Sequence, residues 1–321
     1  MVRNLNSTGF LLADITRAWD LITRAQKITL LTHSKPDADG VSACTALSLL
    51  LEKYGKQTET IYPDKPDMVI QYQPKHVLVG EHSFVPDLII ICDTANCERV
   101  YWPEAFNNCA SINIDHHISN SINSTVNFVS EKVASTCEHV YELICAWDYD
   151  AFDRQIAQSL LLGILYDSQV FHTRATNART LRIAADLIDF GANMIELQAQ
   201  LLQNKNPKII EFWGYLLSSI KLSPSGRAAW SIIKQCDLQA RGLTAMSLVG
   251  FINFLSQISD LDISAIFYET EEGWTKVSLR SKITDVNALS QRFGGGGHKN
   301  AAGIMIKKNI DDVVLDVTSC F

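Results

Sequence analysis

The sequence predicts an α/β protein. An N-terminal parallel-sheet domain with helices on both faces is followed by a smaller α/β C-terminal domain that binds substrate. Three observations carry this expectation. Short runs rich in Ile, Leu and Val alternate with longer amphipathic stretches, the pattern of strands joined by crossover helices. Several apolar runs end at acidic or imidazole residues, as expected where an open sheet binds its ligand at strand carboxyl ends. The 321 residues exceed one average domain and leave room for two cores.

The elements follow in order. Residues 1–26 mix Asp14, Arg17, Asp20 and Arg24 into an amphipathic pattern with no uninterrupted signal-peptide core, and read as a first helix. A strand is expected over 27–32. The helix over 39–54 places Val41, Cys44, Leu47 and Leu51 on one stripe and stops at Gly55. Strands follow at 58–62, before the turn Pro63-Asp64-Lys65-Pro66, and at 77–79, 88–92 and 111–114. Ser135-Thr136-Cys137-Glu138 reads as a capping box opening a helix to about Trp147. Helices are expected over 153–166 and over 178–190, the latter ended by Gly191. Domain limits are set at 1–192, with 193–222 a linker and helix broken by Asn204-Lys205-Asn206-Pro207, and the second domain at 223–321. In that domain a strand is expected over 228–235 and a helix over 244–258. A hairpin joins 263–268 to 275–280 across Glu271-Glu272-Gly273. A short helix over 285–293 runs into Gly294-Gly295-Gly296-Gly297. No internal repeat or low-complexity tract is visible.

Composition narrows the class. Hydrophobic content of 47% and charged content of 20% suit an ordinary globular protein. No apolar run approaches the ~18 residues needed to span a bilayer. None of the eight cysteines forms a Cys-x-x-Cys pair; Cys44, Cys92, Cys137 and Cys145 sit in apolar patterns, so a zinc-thiolate site is disfavoured. These features predict a cytoplasmic protein without a membrane partner. Net charge is −7, yet from Glu211 onward 11 basic residues balance 11 acidic ones, so the deficit lies in the first two thirds. A basic stripe that would track long nucleic acid is missing; a polyanionic substrate should be short, its charge met locally.

Five islands converge on one metal site: His33 to Gly40, Asp93, Asp115-His116-His117, Asp167, and Gly294 to His298. Pro36 keeps the first island out of helical geometry, which places Asp37 and Asp39 in a strand-to-helix loop. Either acid alone would read as a helix cap; together with His33 and the downstream acids they read as ligands. A ligating imidazole needs its other nitrogen fixed by a partner such as a carboxylate, and the second histidine of the pair can donate a proton or hydrogen bond to a phosphate. The candidate ligands His33, Asp37, Asp39, Asp93, His116 and Asp167 are too many for one tetrahedral zinc. They suit two ions sharing a carboxylate, with Mn²⁺ favoured and Mg²⁺ or another divalent ion allowed. Gly294 to Gly297 let backbone amides approach an anion, His298 adds a donor, and Arg280 a cation suited to phosphate.

These residues resemble the DHH phosphoesterase superfamily with its DHH-associated C-terminal domain. The likeness runs from about Ile28 to Ile306 and includes Val277-Ser278-Leu279-Arg280-Ser281 and the glycine run continuing to Ala301-Ala302-Gly303. Within it the chain looks most like the nanoRNase branch, which implies cleavage of very short oligoribonucleotides and dephosphorylation of 3′-phosphoadenosine 5′-phosphate. A pApA or cyclic di-AMP phosphodiesterase is the alternative. The resemblance implies one ion on His33, Asp37 and Asp93 and a second on Asp39, Asp93, His116 and Asp167. His117 would face the scissile phosphate, supported by Asp115. Arg280, Gly295, Gly296, Gly297 and His298 would hold substrate.

The departures are local. The first island reads Asp-Ala-Asp-Gly-Val-Ser, and Ser168-Gln169-Val170-Phe171-His172 stands where relatives often show Thr-Gly and an Arg after the Phe. His172 would weaken such a contact at neutral pH. His76, His82 and His139 read as ordinary surface or core histidines, and Arg99 as either a phosphate contact or a structural ion pair. The glycine run argues against an inorganic pyrophosphatase, and length and acidity against a processive exonuclease. Filled ligand positions argue against a non-enzymatic nucleotide sensor. Oligomeric state stays open, a homodimer included.

Overall fold

The computed structural model describes residues 9–66, 72–117, 119–202, 206–248, 250–270 and 272–321. Residues 1–8 of the expected first helix, Asn204 and Lys205 of the expected linker, and Glu271 of the expected hairpin turn lie outside the described residues. The chain divides into two compact units, Met1–Asn204 and Lys205–Phe321, each with its own sheet and core.

In the first unit α1 (Leu12–Arg24) leads to β1 (Lys27–Leu31), α2 (Ala38–Lys53), β2 (Gln57–Tyr62), β3 (Val77–Val79), β4 (Leu88–Cys92), β5 (Ala110–Asp115) and β6 (Val126–Val129). The strands pair in parallel in the order β3-β2-β1-β4-β5-β6. Chain order reverses around β1, so the carboxyl ends of β1 and β4 form the switch point where such sheets open a crevice. Alternate residues of β4 serve opposite faces. Leu88, Ile90 and Cys92 enter the large cluster built with α2 and α4 (Arg154–Asp167). Ile89 and Ile91 join a smaller one with Phe106 and Ile122. Burial on both faces explains why these strands read as continuous apolar runs.

α3 (Thr136–Asp148), α4, α5 (Ala178–Asp189) and α6 (Met194–Leu202) complete the unit. Asp153 caps α4 through the amides of Gln155 and Ile156, and Asn177 with Thr180 forms a capping box on α5. The capping box expected at Ser135 does not form. Ser135 makes no side-chain cap bond, and Glu138 turns its Oε1 to the Ala134 amide and the Thr180 hydroxyl. A carboxylate from α2 takes the first amides of α3 instead, as described below.

The second unit holds α7 (Pro207–Ser218), β7 (Lys221–Leu222), β8 (Ala228–Ile233), α8 (Gln235–Gln239), α9 (Phe251–Leu255), β9 (Ile263–Glu269), β10 (Thr275–Ser281), α10 (Val286–Gln291), β11 (Gly296–His298), β12 (Ala301–Ile306) and α11 (Ile310–Thr318). Its sheet runs β11-β12-β10-β9-β8-β7, with β8 and β9 parallel and the other pairs antiparallel. The hairpin β9–β10 forms in the expected place. The helix expected over 244–258 is interrupted: a 3-10 turn at Ala245–Leu248 and α9 are separated by Gly250, whose φ of 87° lies in the left-handed region that breaks a helix. Among the described residues no helix is long and apolar enough to cross a membrane.

Candidate active site

The site is assembled where β1, β4 and β5 end. Past β1 the chain turns at Lys35, whose φ is 54°, and Pro36 before entering α2. Asp37 is the N-cap: its Oδ1 accepts from the amides of Asp39 at 3.0 Å and Gly40 at 3.2 Å. Its Oδ2 instead faces His33 Nε2 at 3.6 Å. The two readings of this acid, cap and metal ligand, are therefore not exclusive, because each oxygen has its own direction. His33 Nδ1 lies 2.8 Å from the carbonyl oxygen of Ser34, which leaves Nε2 pointed at the carboxylates.

Asp93 follows β4 with a φ of 55°, a left-handed conformation that Asp tolerates better than most residues. Its two oxygens diverge. Oδ2 lies 3.5 Å from His33 Nε2, while Oδ1 lies 3.5 Å from His116 Nε2 and 3.7 Å from His117 Nδ1. His116 Nε2 is 3.2 Å from Asp167 Oδ2, delivered by the last residue of α4. Three sets of donor atoms gather within 4.8 Å of one another: His33, Asp37 and Asp93; Asp39, His116 and Asp167; and Asp93, His116 and His117. Most of these separations exceed a good hydrogen bond, yet they are what two donors show when each sits about 2.0–2.2 Å from one ion. The donors are carboxylate oxygens and imidazole nitrogens, a set that suits a divalent cation.

Asp39 is fully buried against the start of α3. Its Oδ2 accepts from the Thr136 amide at 2.6 Å and its Oδ1 from the Cys137 amide at 3.1 Å, so a residue of α2 caps α3. The Thr136 hydroxyl meanwhile donates to Asp93 Oδ1 at 3.0 Å. Glycine makes this packing feasible. A Cβ on Gly163 of α4 would lie 2.4 Å from Cys137 Sγ and 2.7 Å from Asp39 Oδ1, and one on Gly40 would lie 2.3 Å from Thr32 Oγ1.

The crowded acids raise each other's proton affinity. Burial, then the neighbouring carboxylates, push Asp39 and Asp167 well above the usual carboxylate range. Burial alone would raise Asp93 too, but His33, His116 and His117 hold it down. Burial would lower His33, yet Asp37 and Asp93 raise it to about 10. Such a site is charge-frustrated until a cation replaces the protons. The Cys137 thiol is pushed up by burial, and it donates to the Asp39 carbonyl oxygen rather than offering a thiolate.

Asp115 ends β5 without exposure. Its Oδ1 accepts from the His116 amide at 2.9 Å and lies 2.7 Å from His117 Nδ1, while Oδ2 accepts from Asn120 Nδ2 at 2.6 Å. Held as a donor at Nδ1, His117 keeps Nε2 for another partner. Asn120 also donates to the Thr94 carbonyl oxygen and accepts from Asn113, so it ties Asp115 to the end of β4.

In the second unit Arg280 leaves β10 partly buried. Its Nε donates to Asn253 Oδ1 at 3.1 Å and its Nη1 to the Leu279 carbonyl oxygen at 3.0 Å. No carboxylate partner stands beside it among the described residues, and burial lowers its pKa. A half-buried guanidinium without an acid is costly unless an anion completes it. The glycine run is used differently from a four-amide cradle. The amides of Gly294 and Gly295 donate to Gln291 and Ser290 at the end of α10, and Gly296 and Gly297 pair with β12 beside the exposed His298. A Cβ on Gly295 would lie 2.2 Å from the Gly303 carbonyl oxygen, and one on Gly297 2.5 Å from that of Ala301. Close strand packing thus accounts for two of the four glycines.

The structure brings together all six candidate ligands with Asp115 and His117, while in the second sheet Arg280 on β10 and Gly296 to His298 on β11, with Gly295 just before it, lie on either side of β12. Sequence reasoning missed Thr136, Asn120, Gly163 and Asn253. Thr136, Gly163 and Asn253 act on partners distant in the chain, and Asn120, five residues from Asp115, sits in a loop with no periodic pattern to mark it.

Residues 27–164 match the model of the DHH family, N-terminal domain, and residues 232–321 that of the DHHA1 domain. The chain is 28% identical over 283 residues to the bifunctional oligoribonuclease and PAP phosphatase NrnA of Bacillus subtilis strain 168, covering 87% of this chain and 89% of that one. The protein of the same name from Mycoplasma genitalium is 28% identical over 313 residues, 94% of this chain and 96% of that one. Among solved structures, an exopolyphosphatase-related protein from Bacteroides fragilis superposes with a TM-score of 0.90 at 22% identity, over 96% of this chain and 95% of that one, a likeness of fold.

Proposed function

This chain belongs to the DHH family and carries a DHHA1 domain after its DHH domain, and on that premise we propose that it is a two-metal phosphoesterase acting on short oligoribonucleotides and 3′-phosphoadenosine 5′-phosphate. One observation carries the reading: Asp93 turns Oδ2 toward His33, which Asp37 also faces, and Oδ1 toward His116, which Asp167 also faces. We assign His33, Asp37 and Asp93 to one ion and Asp39, Asp93, His116 and Asp167 to the other, with Mn²⁺ as the ion best suited to such donors. When bound, the pair supplies an activated water and neutralises charge on the leaving oxygen. The chain's own groups do the remainder. Asp115 fixes His117 so that Nε2 can hydrogen bond the phosphate or pass a proton to the leaving group. In the second unit we assign anion binding to Arg280, His298 and the glycine run. The reading includes a cytoplasmic location, in keeping with free thiols at Cys44, Cys92 and Cys137 in the core.

This division of labour has a kinetic signature. His117→Ala should lower kcat by roughly 10²–10⁴-fold, because a proton or hydrogen bond made at the reacting phosphate is lost. Arg280→Ala should raise KM by about tenfold with a smaller change in kcat, since that contact exists before and during reaction. Steady-state kinetics of both variants check the assignment, and the reverse pattern would exchange the roles.

The reading as a whole is tested with Mn²⁺ and a 5′-labelled ribonucleotide ladder of two to about twenty bases, with 3′-phosphoadenosine 5′-phosphate and pApA alongside. Net charge of −7 offers a long strand little to hold. kcat/KM should peak at two to about five nucleotides and fall steeply beyond. A flat or rising profile would point to a processive nuclease. Cleavage of pApA without activity on other short RNAs would move the enzyme to the cyclic-dinucleotide branch.

A further inference from the structure

Arg99 ends a 3-10 turn, Cys97–Arg99, six residues after Asp93. The backbone there is already fixed: the Ser34 amide donates to the Arg99 carbonyl oxygen at 2.6 Å, and His33 forms an isolated bridge with Val100. The side chain is therefore not needed to hold the loop. Its Nη2 lies 2.9 Å from His33 Nδ1 and 3.2 Å from the Ser34 carbonyl oxygen. No carboxylate pairs with it among the described residues, although five acids crowd the site it adjoins. A guanidinium has five N–H donors, and the remaining nitrogens of this exposed side chain have no described partner.

In a loaded site His33 Nδ1 offers Arg99 no lone pair. For Nε2 to present a lone pair to a cation between Asp37 and Asp93, the ring proton must sit on Nδ1 and be donated to Ser34. Arg99 then faces an N–H, to which it cannot donate, and keeps only a shared hold on the Ser34 carbonyl oxygen. A charged fork left without an acceptor at the rim of a metal site matches the geometry of a phosphate.

We propose that Arg99 is an anion-binding residue of this site and engages a phosphate oxygen of the substrate on the His33 side. The proposal rests on the two-metal phosphoesterase reading and adds a residue to it.

The test uses the Mn²⁺-loaded protein with inorganic phosphate as the probe, measured by calorimetry for the wild type, Arg99→Gln and Arg99→Lys, with Mn²⁺ affinity and dinucleotide kinetics alongside. Arg99→Gln should weaken phosphate binding and raise KM by about tenfold each, the scale of one charge-assisted hydrogen bond. kcat should fall less, and Mn²⁺ affinity should stay within about twofold. Arg99→Lys should recover part of the loss, since it keeps charge without the fork. Unchanged phosphate affinity in Arg99→Gln overturns the proposal. So does a loss confined to Mn²⁺ affinity, which would make Arg99 a support for His33. Because phosphate binding needs no turnover, it reports on Arg99 even if the wild type cleaves neither short RNA nor the bisphosphate.

Discussion

Asp93→Asn should lower turnover by roughly 10³-fold or more while the fold persists, a loss of several kcal/mol of transition-state stabilisation. The size follows from the placement of its carboxylate. Oδ2 faces His33 at 3.5 Å and Oδ1 faces His116 at 3.5 Å, so the substitution removes the one charge common to the two clusters. The amide keeps the volume, and an oxygen can still accept from Thr136, so packing should survive. The variant should bind fewer Mn²⁺ ions by calorimetry and show the same melting profile as the metal-free wild type. A folded Asp93→Asn protein with near-wild-type activity and no bound metal would defeat the two-metal assignment.

Gly163→Ala is expected to be nearly as harmful, against intuition. On helix propensity alone, Ala inside α4 would stabilise by about 1 kcal/mol. The added methyl would lie 2.4 Å from Cys137 Sγ, 2.7 Å from Asp39 Oδ1 and 3.2 Å from Asp39 Cα. Cys137 and Asp39 are fully buried, so neither has room to yield, and overpacking of this kind costs about 1–3 kcal/mol. Relief comes by shifting Asp39 away from His116 and Asp167, and a misplaced group at a reacting centre can cost about 10²-fold in rate. Thermal melts with and without Mn²⁺ should show a lower melting temperature and a smaller metal-induced rise than in the wild type. An alanine variant that is more stable and fully active would mean that α4 can move without disturbing Asp39.

Much of the first unit was readable because its central strands are buried on both faces and stop at ligand-type residues. Leu88 to Cys92 running into Asp93, and Ile112 to Ile114 into Asp115, announce both the strand and the site. The start of α3 was misread for a reason no local pattern contains: Asp39, nearly a hundred residues earlier, takes the amides that Ser135 was expected to cap. Gly163 carries no local mark of its role, since only the fold brings Asp39 beside it. β6, with four residues, and β12, whose Gly303 interrupts an apolar stretch, fell below what period-two patterning can resolve. α11 was legible after all. Ile310, Val313, Val314 and Val317 lie on one buried stripe at helical spacing.

The capping of α3 by Asp39 bears on how freely this site can drift in sequence. Its two supports for Asp39 are main-chain N–H groups, and every residue except proline supplies one. Exchanges at Cys137 therefore leave its bond to Asp39 in place so long as the new side chain fits. At Thr136 they put at risk only the hydroxyl that reaches Asp93. A carboxylate held by side chains would oblige two positions to change in concert. Held by the backbone, it leaves selection to act on shape and one side-chain contact at each position, the thiol on the Asp39 carbonyl oxygen at Cys137 and the hydroxyl on Asp93 at Thr136.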